Sequence, residues 1–223
     1  NNISDLTGIE DFAALNHLNC YGNLLASINV TQNSALKILQ CTYNQLTSLN
    51  VTQNVDLTEL SCAANQLTNL DVTQNSELTF LNCANNLLTS LDVTQNNLID
   101  TFYCGLNQLT SLNVTQNTDL IILSCFTNLF LTSLDVSQNI LLTKLYCEEN
   151  ALTELDVSQN DELILLNCGA NQLTCLNVKN GNNINFLPNG LSAGLNPGLT
   201  CIEVDDPIWS AANWPNFDSS SLY

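Results

Sequence analysis

Ten cysteines are the residues of this chain with the widest chemical range, because a thiol can bind a metal, form a disulfide or act as a nucleophile. Eight of them recur every 21 residues, apart from one step of 22 that is caused by an extra residue near Phe130: Cys20, Cys41, Cys62, Cys83, Cys104, Cys125, Cys147 and Cys168. Zinc sites instead use closely spaced cysteine and histidine ligands. We therefore expect a column of reduced, buried thiols that behave as small apolar side chains.

The other two cysteines break this spacing. Cys175 and Cys201 occupy the outward position of LTCL and LTCI, and they bracket the irregular segment 179–198. A disulfide between them requires that their segments be neighbours, and parallel side chains are unfavourable geometry for such a bond. The sequence leaves this disulfide open.

Catalytic groups are sparse. His17 is the only histidine, and no recognisable nucleophile motif accompanies it. The carboxylate pairs Glu148–Glu149 and Asp161–Glu162 are consecutive residues, which we interpret as solvated rather than as two acids facing each other across a cleft. The sequence has no glycine loop for phosphate and no metal-ligand motif. We therefore expect no enzymatic activity, no cofactor and no dedicated metal site.

The elements that must position these residues are repeats. The segment 78–99, LTFLNCANNLLTSLDVTQNNLI, is one unit of a pattern that the chain repeats eight times. In it, LxxLxCxxN is followed at once by LxxLxVxxN, and a period in the twenties indicates a solenoid. Alternation predicts that Leu81 and Cys83 face inward while Phe80 and Asn82 face outward. The asparagines at the bends are expected to pair with buried backbone groups.

This unit resembles the leucine-rich repeat, whose core is LxxLxLxxN, and specifically the short bacterial variety with two nested half-repeats. The resemblance covers roughly residues 15–179. It implies a mainly β solenoid of parallel strands, with about two short strands in each 21-residue repeat and little helix except at the caps. The tail from Leu199 to Trp214, LTCIEVDDPIWSAANW, looks like the closing segment of secreted repeat proteins of Bacteroidetes and flavobacteria.

We predict one continuous domain, with an N-terminal cap at 1–18, eight repeats at 15–178, and an irregular loop followed by a C-terminal cap at 179–223. Thr7 and Glu10 form a capping-box pattern for a short helix that would cover the core end with Ile9, Phe12 and Ala13. Asp206 and Pro207 are typical of a helix start. This second helix would cover the last repeat with Ile208, Trp209, Trp214 and Phe217. A sugar-stacking platform is the alternative for the two tryptophans.

The charge balance excludes some partners. The chain has 21 acidic residues against three lysines and no arginine, so we expect no nucleic-acid partner, and anionic membrane surfaces are disfavoured. The sequence contains no apolar run of about 18 residues, which excludes membrane insertion. The chain lacks methionine and begins at Asn1, which we interpret as a mature or trimmed secreted protein. We expect an extracellular or cell-surface location.

Outward positions of the first strand vary from repeat to repeat, and this variation predicts a binding face for a protein or glycan. Exposed aromatic and aliphatic side chains are typical of interfaces, and leucine-rich repeat proteins commonly bind through this strand face. Drift at solvent positions is the alternative. The expected binding residues are Ile38, Glu59, Phe80, Thr101, Tyr103, Ile122, Phe126, Lys144, Tyr146 and Leu165.

Outward positions of the second strand are uniform, with columns of serine, asparagine or aspartate, and threonine. Hydrogen bonds between neighbouring repeats would account for such columns, and a periodic ligand such as a polysaccharide or ice is the alternative. A weak calcium site along the column of Asp92 is a further hypothesis. The chain as a passive spacer of a surface protein also stays open, as does its oligomeric state.

Overall fold

The computed structural model describes residues 2–214 and shows a mainly β solenoid with very little helix. Parallel strands of successive repeats pair in register, so that Leu60, Leu81 and Phe102 lie side by side. In the described chain this first-strand sheet has nine strands: His17–Asn19, Ile38–Gln40, Glu59–Ser61, Phe80–Asn82, Thr101–Tyr103, Ile122–Ser124, Lys144–Tyr146, Leu165–Asn167 and Leu191–Ser192. The repeat prediction is therefore confirmed.

The core is built from equivalent positions of successive repeats. Leu78, Leu81, Cys83, Leu88 and Val93 are fully buried within a single repeat, and their counterparts elsewhere form the same columns. Each fully buried aliphatic side chain contributes about 1.5–3 kcal/mol by leaving water. Stacking therefore supplies the core that no isolated repeat could form.

The second half of each repeat is less regular than the sequence predicted. In residues 2–214 its strands pair only in the last three repeats, where Glu154–Asp156, Cys175–Asn177 and Cys201–Glu203 form the second-strand sheet. Earlier repeats have no strand at this place. The prediction of about two strands in every repeat is thus met only near the C-terminal end.

The first corner of each repeat is held by an asparagine. Asn86 donates from Nδ2 to the carbonyl oxygens of Cys62 and Cys83, each at 3.1 Å, and its Oδ1 accepts from the amide of Leu67 at 3.0 Å. Each cysteine carbonyl also receives the Nδ2 of an adjacent asparagine, as Cys83 does from Asn107. The predicted pairing of buried backbone groups is confirmed.

The second corner uses asparagine differently. Asn96 donates from Nδ2 to the carbonyl oxygens of Val72 and Asn75, each at 2.8 Å. Its Oδ1 is buried and has no hydrogen-bond partner among the described residues. The same holds for the equivalent oxygens of Asn33, Asn54, Asn75, Asn117, Asn139 and Asn160.

One residue before the first corner has a left-handed backbone in most repeats. Gly22 takes this place in the first repeat with φ 66°. The other members of the column are not glycine and have φ between 51° and 59°: Tyr43, Ala64, Asn85, Leu106, Thr127, Glu149, Ala170 and Leu195. For residues with a Cβ this conformation costs about 1–2 kcal/mol each.

The extra residue of the 22-residue repeat lies at the first corner. Leu129 and Phe130 are exposed, each at 60%. Asn128 still donates to the Cys104 carbonyl, and its amide donates to Asn150 Oδ1, the acceptor used in other repeats by the next inward leucine. The insertion therefore stays on the surface and leaves the stack in register.

The N-terminal cap differs from the prediction. A 3₁₀ helix spans Ile9–Asp11, but its N-cap residue is Gly8, whose amide donates to the Glu10 carboxylate. Thr7 donates instead to Asp5, so the capping box is wrong. Phe12 and Ala13 are exposed and do not cover the core. Leu6 and Leu15 pack against the core instead.

The segment predicted as an irregular loop completes a ninth repeat. Its first strand, Leu191–Ser192, pairs with Leu165–Asn167, and Ala193 takes the cysteine position. Asn196 supplies the corner bonds, accepting from the amide of Leu173 at 3.0 Å. The loop prediction is therefore wrong from residue 190 onward, although a 3₁₀ helix at Asn183–Asn185 precedes this repeat.

A helix at Pro207–Asn213 closes the described chain, with Asp206 as its N-cap as predicted. Trp214 is buried, and its ring lies edge-on to Phe186 at 5.4 Å and to Trp209 at 5.6 Å. Ile208 is 85% exposed, so its predicted place over the last repeat is wrong. Phe217 lies outside the described residues. No helix within residues 2–214 is long and apolar enough to cross a membrane.

Candidate functional site

The predicted binding residues share one face of the first-strand sheet, except for Phe126, which lies just beyond the end of its strand. Strand pairing places Ile38 beside Glu59, and the same register continues along the sheet. These outward side chains are half-buried by their neighbours, whereas the middle residue of each paired strand is buried beneath them. The variable positions therefore form a continuous surface.

Five of the ten predicted residues meet at a cavity of about 340 Å³. We call it the aromatic cavity, and it is lined by Tyr103, Ile122, Ser124, Phe126, Lys144, Tyr146 and Glu148. Three neighbouring repeats contribute to it through residues that face each other across the sheet, such as Ser124 and Tyr146. Ser124 and Glu148 were not among the predicted residues.

A glycine makes room for the ring of Phe126. Gly105 precedes Phe126 by one repeat, and a Cβ built on it would stand 2.7 Å from Cδ1 of that ring and 2.9 Å from the Phe126 carbonyl oxygen. Real Cβ atoms do not come this close, so only glycine allows the ring to lie here. Gly105 is thus a positioning residue of the aromatic cavity, and sequence reasoning missed it.

Glu148 is not the solvated carboxylate that the sequence suggested. Its Oε2 atom is buried without a hydrogen-bond partner among the described residues. Burial raises the pKa of Glu148 above its ordinary value of 4.5, and hydrogen bonds from its own amide and from Asn167 lower it in part. Glu148 therefore lines an otherwise largely apolar cavity with a half-buried carboxylate, one oxygen of which is closed off from solvent.

The remaining predicted residues extend the face on both sides of the aromatic cavity. The rings of Phe80 and Tyr103 lie 5.9 Å apart. Ile38 and Glu59 lie further toward the N-terminal end, where Gln40 donates to the Glu59 carboxylate at 2.8 Å. Thr101 and Leu165 flank the aromatic cavity on the sheet and do not line it.

The uniform aspartate or asparagine and threonine columns of the second strand are explained by contacts within each repeat. Asp92 Oδ1 accepts from the amide of Thr94 at 2.9 Å and from its hydroxyl at 2.7 Å, so each pair closes a turn within its own repeat. The same contacts recur at Asn29, Asn50, Asp71 and Asn113. The expected hydrogen bonds between repeats are therefore wrong for these columns. In residues 2–214 no three acidic, cysteine or histidine side chains are close enough to hold a metal ion.

The cysteines separate into two environments. The eight cysteines of the repeats are buried free thiols, and burial raises the pKa of Cys83 to about 12. Cys175 is exposed and Cys201 is half-exposed. They lie side by side at paired positions of two adjacent parallel strands. They are therefore neighbours, as a disulfide between them requires, and both are free thiols in this structure.

No protein-family model and no curated protein sequence matches this chain. Solved structures do match. The functional domain of InlJ from Listeria monocytogenes, whose structure includes a cysteine ladder, is 31% identical with a TM-score of 0.63. The match covers 87% of this chain and 54% of InlJ.

Two other matches extend this likeness. A leucine-rich repeat protein of Leptospira interrogans is 25% identical with a TM-score of 0.72, over 91% of this chain and 52% of that one. The internalin InlF of Listeria monocytogenes is 20% identical with a TM-score of 0.68, over 90% and 57% respectively, which supports the fold alone. The chain thus spans about half the length of these structures. We conclude that it has the leucine-rich repeat fold and that bacterial leucine-rich repeat proteins are among its structural neighbours.

Proposed function

We propose that this chain is a recognition module of a bacterial secreted or cell-surface protein, and that it binds a partner protein through the outward face of the first-strand sheet. The observation that carries the proposal is the aromatic cavity, where Tyr103, Ile122, Phe126 and Tyr146 converge from neighbouring repeats. Aromatic side chains in a polar surround supply much of the binding energy of protein interfaces.

The sheet beneath this face favours tight binding. Its backbone is fixed by strand pairing from one repeat to the next, and its inward side chains are fully buried. A partner therefore meets side chains that are already positioned, which lowers the ordering penalty of association.

The comparisons support a bacterial setting for this proposal. InlJ is matched in a domain that is described as functional. A secreted or surface location, the relation of the tail to Bacteroidetes proteins and the absence of enzymatic activity are parts of the same proposal. A glycan partner and a passive spacer role are the competing proposals, while a periodic ligand loses its main support because the local turns account for the uniform columns.

The test compares three forms of the purified domain. The first is the unchanged chain, the second carries Tyr103→Ala and Tyr146→Ala, and the third carries bulky leucines at three threonines on the outward side of the second strand: Thr73, Thr94 and Thr115. Ligands are selected on the unchanged chain from a displayed peptide library, and a glycan array is screened in parallel. Circular dichroism verifies that all three forms are folded.

We expect the selected peptides to lose at least about tenfold in affinity for the second form, since truncated aromatic anchors each remove more than about 1 kcal/mol. They should bind the third form as well as the unchanged chain. Equal binding to the first two forms contradicts the proposal. Binding to glycans alone supports the glycan alternative, and no binding to either library supports the spacer.

A further inference from the structure

The aromatic cavity combines apolar walls with one half-buried carboxylate. Tyr103, Phe126 and Tyr146 contribute rings, and Glu148 contributes the carboxylate, whose Oε2 atom is closed off from solvent without a hydrogen-bond partner in the described chain. Removing a carboxylate from water is unfavourable, and an opposite charge beside it offsets the penalty. A cationic ligand group in the cavity would supply that charge.

The net charge of the molecule favours a cationic ligand group. The chain has a formal net charge of −18, and Glu149 follows Glu148 directly. Lys144 also lines the aromatic cavity, but within residues 2–214 its ammonium forms no ion pair with a carboxylate, and its long stem lets the charged group reach water. Of these two charged groups, only the Glu148 carboxylate has an atom that is closed off from solvent without a partner among residues 2–214.

We propose that the aromatic cavity binds an arginine or lysine side chain of the partner protein, with Glu148 as its counter-ion. This inference deepens the proposed function and rests on it. The rings of Tyr103, Phe126 and Tyr146 would contact the apolar stem and the cationic head, since aromatic faces attract cations within about 6 Å. Charge-assisted hydrogen bonds to the Glu148 carboxylate would supply the specificity.

Lys144 provides a second test of the proposal, because its positive charge repels a cationic ligand. Removing its charge should strengthen the binding of a cationic probe, whereas removing the charge of Glu148 should weaken it. An acidic ligand held by Lys144 would produce the opposite signs. The two substitutions therefore distinguish the two kinds of ligand side chain.

The test is an NMR titration of the ¹⁵N-labelled chain with N-acetyl-arginine methylamide. The uncharged control probe is N-acetyl-citrulline methylamide, which has nearly the same shape, and N-acetyl-glutamate methylamide is the acidic probe. We expect a Kd on the order of 1 mM for arginine, as suits a ligand of this size, with shifts at the amides of Phe126, Tyr146 and Glu148. Citrulline should bind about tenfold more weakly, because it lacks the charge.

Three variants complete the design. Glu148→Gln should reduce arginine affinity about tenfold, and Lys144→Gln should increase it. Glu162→Gln removes a similar charge at an exposed carboxylate and should leave binding unchanged. The proposal is overturned if citrulline or glutamate binds as tightly as arginine, if Glu148→Gln has no effect, or if arginine shows no saturation by about 20 mM.

The two proposals fail in different ways. If library peptides bind this face but their affinity does not depend on arginine or lysine, the recognition function stands and the cation site is wrong. If no peptide of any charge binds the first-strand face, both are wrong.

Discussion

The two asparagine corners of one repeat predict unequal effects of the same substitution. Asn86→Ala takes the acceptor away from the Leu67 amide, whereas the carbonyls of Cys62 and Cys83 keep a bond from a neighbouring asparagine. A buried amide without an acceptor costs about 1–3 kcal/mol, and two lost bonds add about 0.5–1.5 kcal/mol each. We expect a loss of about 4 kcal/mol in the free energy of unfolding.

Asn96→Ala removes two similar bonds, but each acceptor keeps a backbone donor. The Val72 carbonyl still receives the amide of Asn75, and the Asn75 carbonyl still receives the amide of Leu78. The substitution also removes the buried Oδ1 that has no partner in the described chain, a gain of about 1–3 kcal/mol. The lost bonds and this gain roughly cancel, so we expect a change of less than about 1 kcal/mol before a cavity effect that is similar at both sites.

The assay is equilibrium unfolding in urea, followed by far-ultraviolet circular dichroism, with Asn97→Ala as an exposed control. The control should change the free energy of unfolding by less than about 0.5 kcal/mol. Similar m-values are needed for the comparison, because repeat proteins can unfold in parts. The reasoning is refuted if Asn96→Ala destabilises the chain as much as Asn86→Ala or more.

Three further predictions concern single positions. Ala64→Gly should stabilise the chain by about 1 kcal/mol because Ala64 is left-handed, whereas Ala63→Gly should destabilise it; urea midpoints that move together contradict this. Cys175 should be alkylated in the native protein while the column that contains Cys83 stays unmodified, and mass spectrometry that shows early labelling of the column would contradict burial. Hydrogen bonds from the amide and hydroxyl of Thr94 lower the pKa of Asp92 below its ordinary 3.8. Its contribution to stability should thus be present above pH 3.8 and disappear as the pH falls through the lowered value, and an NMR titration midpoint at or above 3.8 would disprove this.

The repeat period predicts most of the fold, because register follows directly from the spacing of inward leucines and cysteines. The ninth repeat escaped prediction since Ala193 replaces the cysteine and an irregular segment precedes it. Its signal was nevertheless present, because Asn196 stands three residues beyond Ala193, as the corner asparagine does from each cysteine. Strand pairing in the second half of the repeat was overestimated, because alternation alone does not specify the distance between the segments of successive repeats.

The variable outward face of the first strand was predicted at the level of columns, but the aromatic cavity on it was not. Five of the predicted residues line the aromatic cavity, while Glu148 was interpreted as solvated. Its burial depends on residues one or more repeats away, and the local sequence around Glu148 does not show such contacts. The column just past the cysteine contains Gly105, Phe126, Glu148 and Gly169, so large side chains between two glycines were the available signal.

The bulge at Leu129 and Phe130 shows where this architecture tolerates growth. One additional amino acid is accommodated there while Asn128 and Asn139 keep their contacts with the preceding repeats. A change of length at this corner therefore leaves the register of the following repeats unchanged. The same place should accept an inserted epitope tag or a fluorophore attachment site.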